Sequence, residues 1–387
     1  MKKVLSVLLV VAMSFCLLAG CGASSTASAG SNTWKIGGIG PITGGAAVYG
    51  MGVMNAAQIA IDEINAAGGI NGYQIEYNFQ DDELDNEKSI NAYNSLKDWG
   101  MNILVGTVTS GCCVAVAAES KNDNMFQITP SGSAVDCISG NDNVFQVCFT
   151  DPNQGIGAAD YIADKGVASK IAVIYDSSDV YSSGIYNKFV EEAGVKGLEI
   201  VSAEAFTADS KTDFSVQLQK AQEAGADLVF LPIYYTEASL ILTQANTMGY
   251  APKFFGCDGL DGILGVENFD TTLAEGVMLL TPFAADAADE KTQAFVAEYQ
   301  KRFNELPNQF AADAYDAVYI VKKVLEDKNL NPSMSVSEIG DACKEGMKSV
   351  SYDGLTGEGM SWDADGAVNK APKAMEIVNG EYKLVVQ

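Results

Sequence analysis

The sequence predicts an α/β protein with two doubly wound units, each a parallel sheet covered by helices on both faces. Short runs rich in β-branched and aromatic residues alternate with helical runs, which is the order of a parallel sheet. The alternation begins at residue 34 and starts again near residue 151. The chain of 387 residues is long enough for about two domains of ~100–200 residues each.

A targeting segment precedes the first unit. Lys2 and Lys3 are followed by an apolar stretch that ends at Leu18, which is shorter than the ~20 residues of a membrane-spanning helix. The motif "LLAGC" resembles the lipobox of bacterial lipoproteins, which implies cleavage before Cys21 and acylation of that residue. An ordinary signal peptide with an incidental cysteine is the alternative. We therefore expect a signal peptide at 1–20, a small-residue tether at 21–33 and an extracytoplasmic protein anchored by lipid to the bacterial membrane.

The first unit is predicted from apolar runs of strand length that alternate with runs of helical spacing. In chain order its elements are a strand at Trp34–Ile39, a helix at Asn55–Ala66, a strand at Tyr73–Phe79, a helix at Glu87–Trp99, a strand at Ile103–Val108, a helix at Val114–Asn122, and strands at Phe126–Thr129 and Val144–Phe149.

The second unit repeats this order. Its elements are a helix at Pro152–Lys165, a strand at Lys170–Tyr175, a helix at Tyr181–Ala193, a strand at Glu199–Ala205, a helix at Asp213–Ala224, a strand at Leu228–Pro232, a helix at Glu237–Met248 and a strand at Lys253–Cys257.

The rest of the chain returns to helices and ends in hairpins. The apolar run Glu275–Phe283 is a candidate for the segment in which the chain crosses back from the second unit. Helices are predicted at Glu290–Asn304, Phe310–Asp327 and Val336–Lys348. The tail alternates in polarity, with turns at "DADG" and "NGE", which is typical of hairpin strands.

Composition excludes several kinds of chemistry. The chain has no histidine, so it has no Ser-His-Asp or Cys-His catalytic group and no histidine metal site. It also lacks a G-x-S-x-G motif, and we do not expect an enzyme. The formal net charge of −26 disfavours nucleic acid as a partner. Six cysteines remain after Cys16 and Cys21, in a compartment that permits disulfides, and the sequence leaves their pairing open.

The glycine-rich loop "GGIGPITGGAAVYGMG" does not fit a nucleotide site. It lacks G-x-x-x-x-G-K-[ST], and its third glycine, Gly44, comes one residue too late for G-x-G-x-x-G. The "DADG" turn lacks most of a calcium loop, and there is no C-x-x-C pair for zinc. We therefore expect no cofactor and no metal.

Polar residues follow neighbouring predicted strands, where open α/β sheets bind ligands. "VTSGCC" and "TPSGSAVD" supply serine hydroxyls and free amides that can receive a carboxylate; capping of helices is the alternative role of these serines. The second unit supplies tyrosines and one acid, which suit an ammonium group. The sequence thus favours a zwitterion held between the units. The candidate residues are Ser110, Ser131 and Ser133 in the first unit and Tyr181, Tyr234, Tyr235 and Asp258 in the second.

These residues and their order resemble the branched-chain amino-acid branch of the type 1 periplasmic binding proteins. The resemblance covers Trp34 to Gln387 and rests on "GPITGGAAVYG", "AIDEINAAGGINGYQIE", "DDELDNEKSINAYNSL", "VGTVTSG", "TPSGSA" and "DGLTGEGMSWDADG". It implies two lobes that close on an amino acid. It adds Tyr49 to the site, and it leaves open which of Tyr234 and Tyr235 faces the ligand. Asp258 stands where the family has glutamate, and Leu84 and Thr109 stand where known members have a disulfide.

The resemblance also implies a hinge of three strands and a partner. We expect crossings near 149–152, 280–283 and 356–358, with lobe 1 at 34–150 and 283–356 and lobe 2 at 151–282 and 357–387. A monomer that delivers a branched-chain or related amino acid to an ABC permease in the membrane is the expected function. The alternatives are an aromatic amino acid, an amide or urea as ligand, and a sensor that serves a receptor.

Overall fold

The computed structural model describes residues 32–385. The predicted signal peptide, Cys21 and nearly all of the tether lie outside these residues and stay predictions. Within residues 32–385, no helix has both the length and the apolar character that a membrane span requires. All six cysteines of this range are buried free thiols.

The first sheet has five parallel strands in the order β2-β1-β3-β4-β5. The short central strands are buried on both faces, as expected of a parallel sheet covered by helices. The strands are β1 (Trp34–Gly40), β2 (Ile75–Asp81), β3 (Ile103–Val105), β4 (Gln127–Thr129) and β5 (Val144–Gln146). The helices of this part are α1 (Ala47–Ala66), α2 (Asn86–Trp99) and α3 (Ser110–Asn122).

The second sheet has seven strands in the order β12-β11-β10-β9-β8-β6-β7, of which β6 to β10 are parallel and β11 and β12 antiparallel. Its strands are β6 (Lys170–Asp176), β7 (Glu199–Phe206), β8 (Leu228–Leu231), β9 (Lys253–Gly256), β10 (Met278–Thr281), β11 (Lys373–Val378) and β12 (Glu381–Leu384). Its helices are α4 (Asp151–Lys165), α5 (Val180–Lys196), α6 (Ser215–Glu223) and α7 (Tyr235–Thr247).

Three helices follow β10 in the chain: α8 (Glu290–Phe303), α9 (Gln309–Asp327) and α10 (Val336–Met347). Of these, α9 and α10 pack in the core of the first sheet. The apolar face of α9 packs along α1, and Val318 and Val321 enter the same core cluster as Ile36 of β1. We call the first sheet with its helices the first lobe and the second sheet with its helices the second lobe. Both sheets have the doubly wound order, which confirms the predicted fold class.

The predicted elements match the structure, with one large difference at the start of α1. This helix begins at Ala47, eight residues before the predicted start at Asn55. Glycine normally disfavours a helix interior by about 1 kcal/mol, so Gly50 and Gly52 suggested a loop. A Cβ on Gly50 would lie 1.9 Å from the carbonyl oxygen of Pro41, and one on Gly52 would lie 2.6 Å from Oδ1 of Asn308. The close packing of α1 therefore requires both glycines.

The predicted third crossing at 356–358 is wrong. The Trp362 indole donates a 2.7 Å hydrogen bond to the carbonyl oxygen of Gln146 in β5, and Trp362 and Val368 pack in the core of the first lobe. A bridge between Trp362 and Val368 folds this segment back over the "DADG" turn. The chain thus stays on the first lobe beyond the predicted crossing and enters the second sheet only at Lys373. The other lobe boundaries stay predictions.

A buried ion pair joins helix α9 to the segment that leads into β11. Nζ of Lys370 lies 2.7 Å from Oδ1 of Asp313 in α9, with both side chains almost fully buried. Lys370 also donates to the Thr356 hydroxyl at 2.6 Å, and that hydroxyl donates to Oδ2 of Asp316 at 2.7 Å. This network ties the tail segment before β11 to helix α9.

Candidate functional site

The candidate residues gather where the carboxyl ends of strands from the two sheets face each other. Ser110 opens α3 after β3, and Ser131 lies in the loop after β4. Tyr181 lies in the first turn of α5, after β6, while Asp258 begins a short 3-10 turn after β9. Crevices at such strand ends are the usual ligand sites of doubly wound sheets. The topology therefore brings these four residues to one place.

The Ser110 hydroxyl has a free donor. Its oxygen accepts hydrogen bonds from the backbone N–H groups of Ser133 and Ala134, both at 3.1 Å. A hydroxyl accepts two hydrogen bonds and donates one. Because both acceptor positions are occupied, the Ser110 proton is the group left for a ligand oxygen. Ser110 is 2% exposed, so this donor lies in a desolvated place that suits a carboxylate.

The other two predicted serines have different positions. Ser131 donates from its hydroxyl to the carbonyl oxygen of Val108 at 2.6 Å and lines the same cavity as Ser110. Ser133 lies behind Ser110 and does not line that cavity. Its buried hydroxyl makes no hydrogen bond within residues 32–385. The link of Ser133 to the candidate site is therefore its backbone N–H, which donates a hydrogen bond to the Ser110 hydroxyl.

Asp258 places a buried carboxyl group on the opposite wall. Its Oδ1 accepts a 2.7 Å hydrogen bond from the Tyr181 hydroxyl, and its backbone N–H donates to Oε1 of Gln154 at 3.1 Å. None of the ion pairs within residues 32–385 involves Asp258. Burial raises the pKa of Asp258 to about 7. A cationic group placed beside this carboxylate would restore its charge and lower its pKa.

Of the predicted tyrosines in the second lobe, Tyr181 and Tyr234 line the cavity and Tyr235 does not. Tyr234 stacks on Tyr181 with ring centroids 5.0 Å apart, and both line the cavity. The Tyr235 side chain points elsewhere: its phenol oxygen accepts a hydrogen bond from the backbone N–H of Val48 at 3.1 Å. The structure thus places Tyr234 at the candidate site, and Tyr235 links the second lobe to α1.

The cavity also has walls that sequence reasoning missed. Besides the predicted residues it is lined by Val108, Thr109, Gly259 and Phe310. Phe310 packs on Tyr49 with ring centroids 4.4 Å apart. The remaining space is about 10 Å³, enough for about one water molecule. An amino acid does not fit in this space, so its binding requires the lobes to stand farther apart at this cavity than they do in this structure.

The arrangement of polar groups around the cavity suits a zwitterion. Serine and amide donors lie on one wall, a carboxylate lies on the other, and aromatic rings close the sides. Among residues 32–385, no group of three or more histidine, cysteine or acidic side chains could hold a metal ion. The geometry therefore supports binding of a small polar molecule at the junction of the lobes.

The family model for the periplasmic binding proteins matches residues 33–381. The chain belongs to this family. A relative in Pseudomonas aeruginosa, a leucine-, isoleucine-, valine-, threonine- and alanine-binding protein, is 31% identical over 303 residues, which cover 77% of this chain and 79% of the relative. A Leu/Ile/Val-binding protein homologue of Brucella melitensis is 30% identical over 78% of this chain and 80% of its own length.

Solved structures of the family agree with this assignment. The branched-chain amino acid transporter substrate-binding protein LivJ of Streptococcus pneumoniae, in complex with isoleucine, aligns with a TM-score of 0.82 and 31% identity over 91% of this chain and 99% of that chain. The leucine-binding protein LivK of Thermotoga maritima aligns with the same TM-score at 24% identity, over 92% of this chain and 98% of its own, which supports the fold. The resemblance to the branched-chain branch of the type 1 periplasmic binding proteins is thus confirmed.

Proposed function

We propose that this periplasmic binding protein is the lipid-anchored solute receptor of an ABC importer and binds a branched-chain or related amino acid between its lobes. The observation that carries the proposal is the pairing of a free Ser110 donor with an unpaired Asp258 carboxylate across one buried cavity. The α-carboxylate would lie at Ser110 and the α-ammonium group at Asp258. The names of the relatives favour an aliphatic side chain for the ligand.

Ligand-driven closure is the proposed mechanism. A ligand shifts a two-state equilibrium toward the state that it binds better. An amino acid that touches Ser110 and Asp258 at once contacts both lobes only when they are together, so it selects the closed state. The closed lobes then dock on the permease. The protein acts as a monomer and changes no covalent bond of its ligand.

A thermal-shift screen tests the ligand class. The chain from residue 22 to 387 is unfolded and refolded to remove any ligand acquired during expression, and is then screened against the twenty amino acids, short amides and urea. A ligand at 100 times its Kd adds about 2.7 kcal/mol to the free energy of unfolding. Shifts with leucine, isoleucine or valine support the proposal. Shifts only with aromatic amino acids or amides keep the family and change the ligand.

The anchor and the partner need separate tests. Mass spectrometry of the N-terminal peptide of the full chain expressed in a bacterium should show an acylated Cys21, and Cys21→Ala should release the protein from the membrane fraction. Retention on the membrane after this substitution would contradict lipid anchoring. Leucine uptake that depends on this protein and a permease would support import over a sensory role.

A further inference from the structure

A second, larger cavity adjoins the candidate site. Its volume is about 510 Å³, within the range of ~300–1,000 Å³ that is usual for small-molecule sites. The loop at Leu84 and the first turn of α3 form one side, and β6, α5 and α7 of the second lobe form the other. Thr109 and Tyr234 line both cavities. A ligand group that passes between these two residues would move from the small cavity into the large one.

The large cavity is strongly acidic. Among residues 32–385, five carboxylates and one cationic side chain, Lys211, line it; the carboxylates are Asp85, Glu87, Asp176, Asp179 and Glu237. Lys211 lies 3.5 Å from Glu237. Burial, and next the charge of Asp176, raises the pKa of Asp179 to about 6, and burial raises the pKa of Glu237. Buried carboxylates of this kind gain stability when a cation is placed beside them.

The junction between the cavities holds an unpaired polar group. Thr109 is 4% exposed, and its hydroxyl makes no hydrogen bond within residues 32–385. An unpaired buried hydroxyl is costly to leave unsatisfied, so Thr109, next to Ser110 in the shared wall, suits an oxygen of the ligand's α-carboxylate at the point where the ligand's side chain leaves the small cavity. Apolar side chains of Leu84, Phe206 and Ile233 also line the large cavity. They suit the methylene stem that precedes the charge of a basic side chain.

We propose that the large cavity receives the cationic end of a ligand side chain, so that the site admits L-lysine and similar basic amino acids as well as aliphatic ones. This inference rests on the proposed function, because it requires the α-carboxylate and α-ammonium groups to be held at Ser110 and Asp258. The side chain then passes between Thr109 and Tyr234, and its ammonium group lies among the carboxylates near Asp179 and Glu237.

Calorimetric titration with L-lysine and L-norleucine tests the inference, because the two differ only in the ε-ammonium group. We expect the wild-type protein to bind lysine at least about tenfold more tightly than norleucine, as charge-assisted hydrogen bonds predict. Glu237→Gln and Asp179→Asn should each weaken lysine binding at least about tenfold and leave norleucine within about twofold. Glu223→Gln, an exposed acid at the end of α6, is the matched control and should change neither affinity.

The outcomes separate this inference from the proposed function. Leucine binding without lysine binding would overturn the lysine pocket and leave the proposed function intact. Lysine binding that is equal in wild type, Glu237→Gln and Asp179→Asn would also overturn it. Loss of binding for leucine, norleucine and lysine alike would contradict both. The wild-type comparison of lysine with norleucine decides the inference even if one variant fails to fold.

Discussion

The Tyr49 hydroxyl of α1 donates a 2.5 Å hydrogen bond to the carbonyl oxygen of Gly259, which lies beside Asp258 on the second lobe. The oxygen of the Tyr49 hydroxyl also accepts a hydrogen bond from the backbone N–H of Tyr235 at 3.2 Å. One phenol of the first lobe thus holds two backbone groups of the second. These bonds belong to the closed arrangement, so they should contribute to ligand affinity as well as to packing.

Removal of this link should open the lobes. Tyr49→Phe keeps the ring against Phe310 and loses both hydrogen bonds. At about 1 kcal/mol for a net hydrogen bond, we expect leucine affinity to fall roughly fivefold to thirtyfold, with a larger radius of gyration of the ligand-free protein in X-ray scattering. Tyr250→Phe is the control, since its phenol donates to the carbonyl of Ala226 within the second lobe. Equal effects of the two substitutions on affinity would refute a specific role of Tyr49.

Ser110 should matter for both stability and binding. Ser110→Ala leaves the buried N–H groups of Ser133 and Ala134 without an acceptor. An unsatisfied buried group costs about 1–3 kcal/mol, so urea denaturation should show a loss of at least that size. Ligand affinity should also fall because the free donor is gone. Ser95→Ala, an exposed serine that donates only to the carbonyl of Asn91, should change neither; an unchanged affinity in Ser110→Ala would contradict its role at the ligand carboxylate.

Binding should depend on pH through Asp258. Its pKa is raised to about 7, and a ligand ammonium group prefers the ionised form. Leucine affinity should therefore fall as the pH drops below about 7, by up to tenfold per pH unit. The stability of the ligand-free protein should depend on pH in the opposite direction. Because the pKa of Asp258 is higher in the folded than in the unfolded state, ionisation of this group should lower the free energy of unfolding as the pH rises from about 4 through 7.

Comparison with Asp258→Asn isolates these effects from those of the other buried acids. The variant should bind leucine weakly and with little dependence on pH in calorimetry. Between pH 4 and 7, the free energy of unfolding should decline less in the variant than in the wild type. If wild type and variant show the same pH profile of affinity, Asp258 is not the group that meets the ammonium ion.

The buried ion pair of Lys370 with Asp313 links α9 to the segment before β11. Each of the two charges should be tolerated there only when its partner is present. Lys370→Met leaves a buried charge on Asp313, and such single removals cost about 3–5 kcal/mol. The double variant Asp313→Leu/Lys370→Met should recover most of this loss in urea denaturation. Lys322→Met, which removes an ion pair with Glu326 on the surface of α9, should cost about 0–1 kcal/mol. A double variant less stable than Lys370→Met would contradict this account.

The sequence predicted the elements and much of the site for a physical reason. Buried parallel strands such as β3 and β8 are continuous apolar runs, and polar loops follow them at the edge where ligands bind. That pattern is local, so it identified the loops that carry Ser110 and Asp258, and the structure places both residues in the lining of one cavity. The prediction of the "NGE" turn also rested on local sequence. Asn379 and Gly380 adopt the positive φ values of 54° and 74° that a tight hairpin requires.

Features set by distant contacts could not be predicted in this way. Phe310 opens a helix far along the chain from Tyr49, and nothing near it in sequence indicates a cavity. Tyr234 and Tyr235 are adjacent, so only the fold shows that the first lines the cavity and the second bonds to Val48. The close packing of the first turns of α1 involves Asn308, which lies against Gly52 from far along the chain.

The central claim is that an amino acid bridges Ser110 and Asp258, and one titration tests it most directly. Protein refolded to remove bound ligand is titrated with L-leucine in a calorimeter at pH 7.5, beside Asp258→Ala. We predict saturable binding of one leucine per wild-type chain and no detectable heat of binding with Asp258→Ala. Equal binding by the two proteins, or no binding of leucine by folded wild-type protein, would contradict the account.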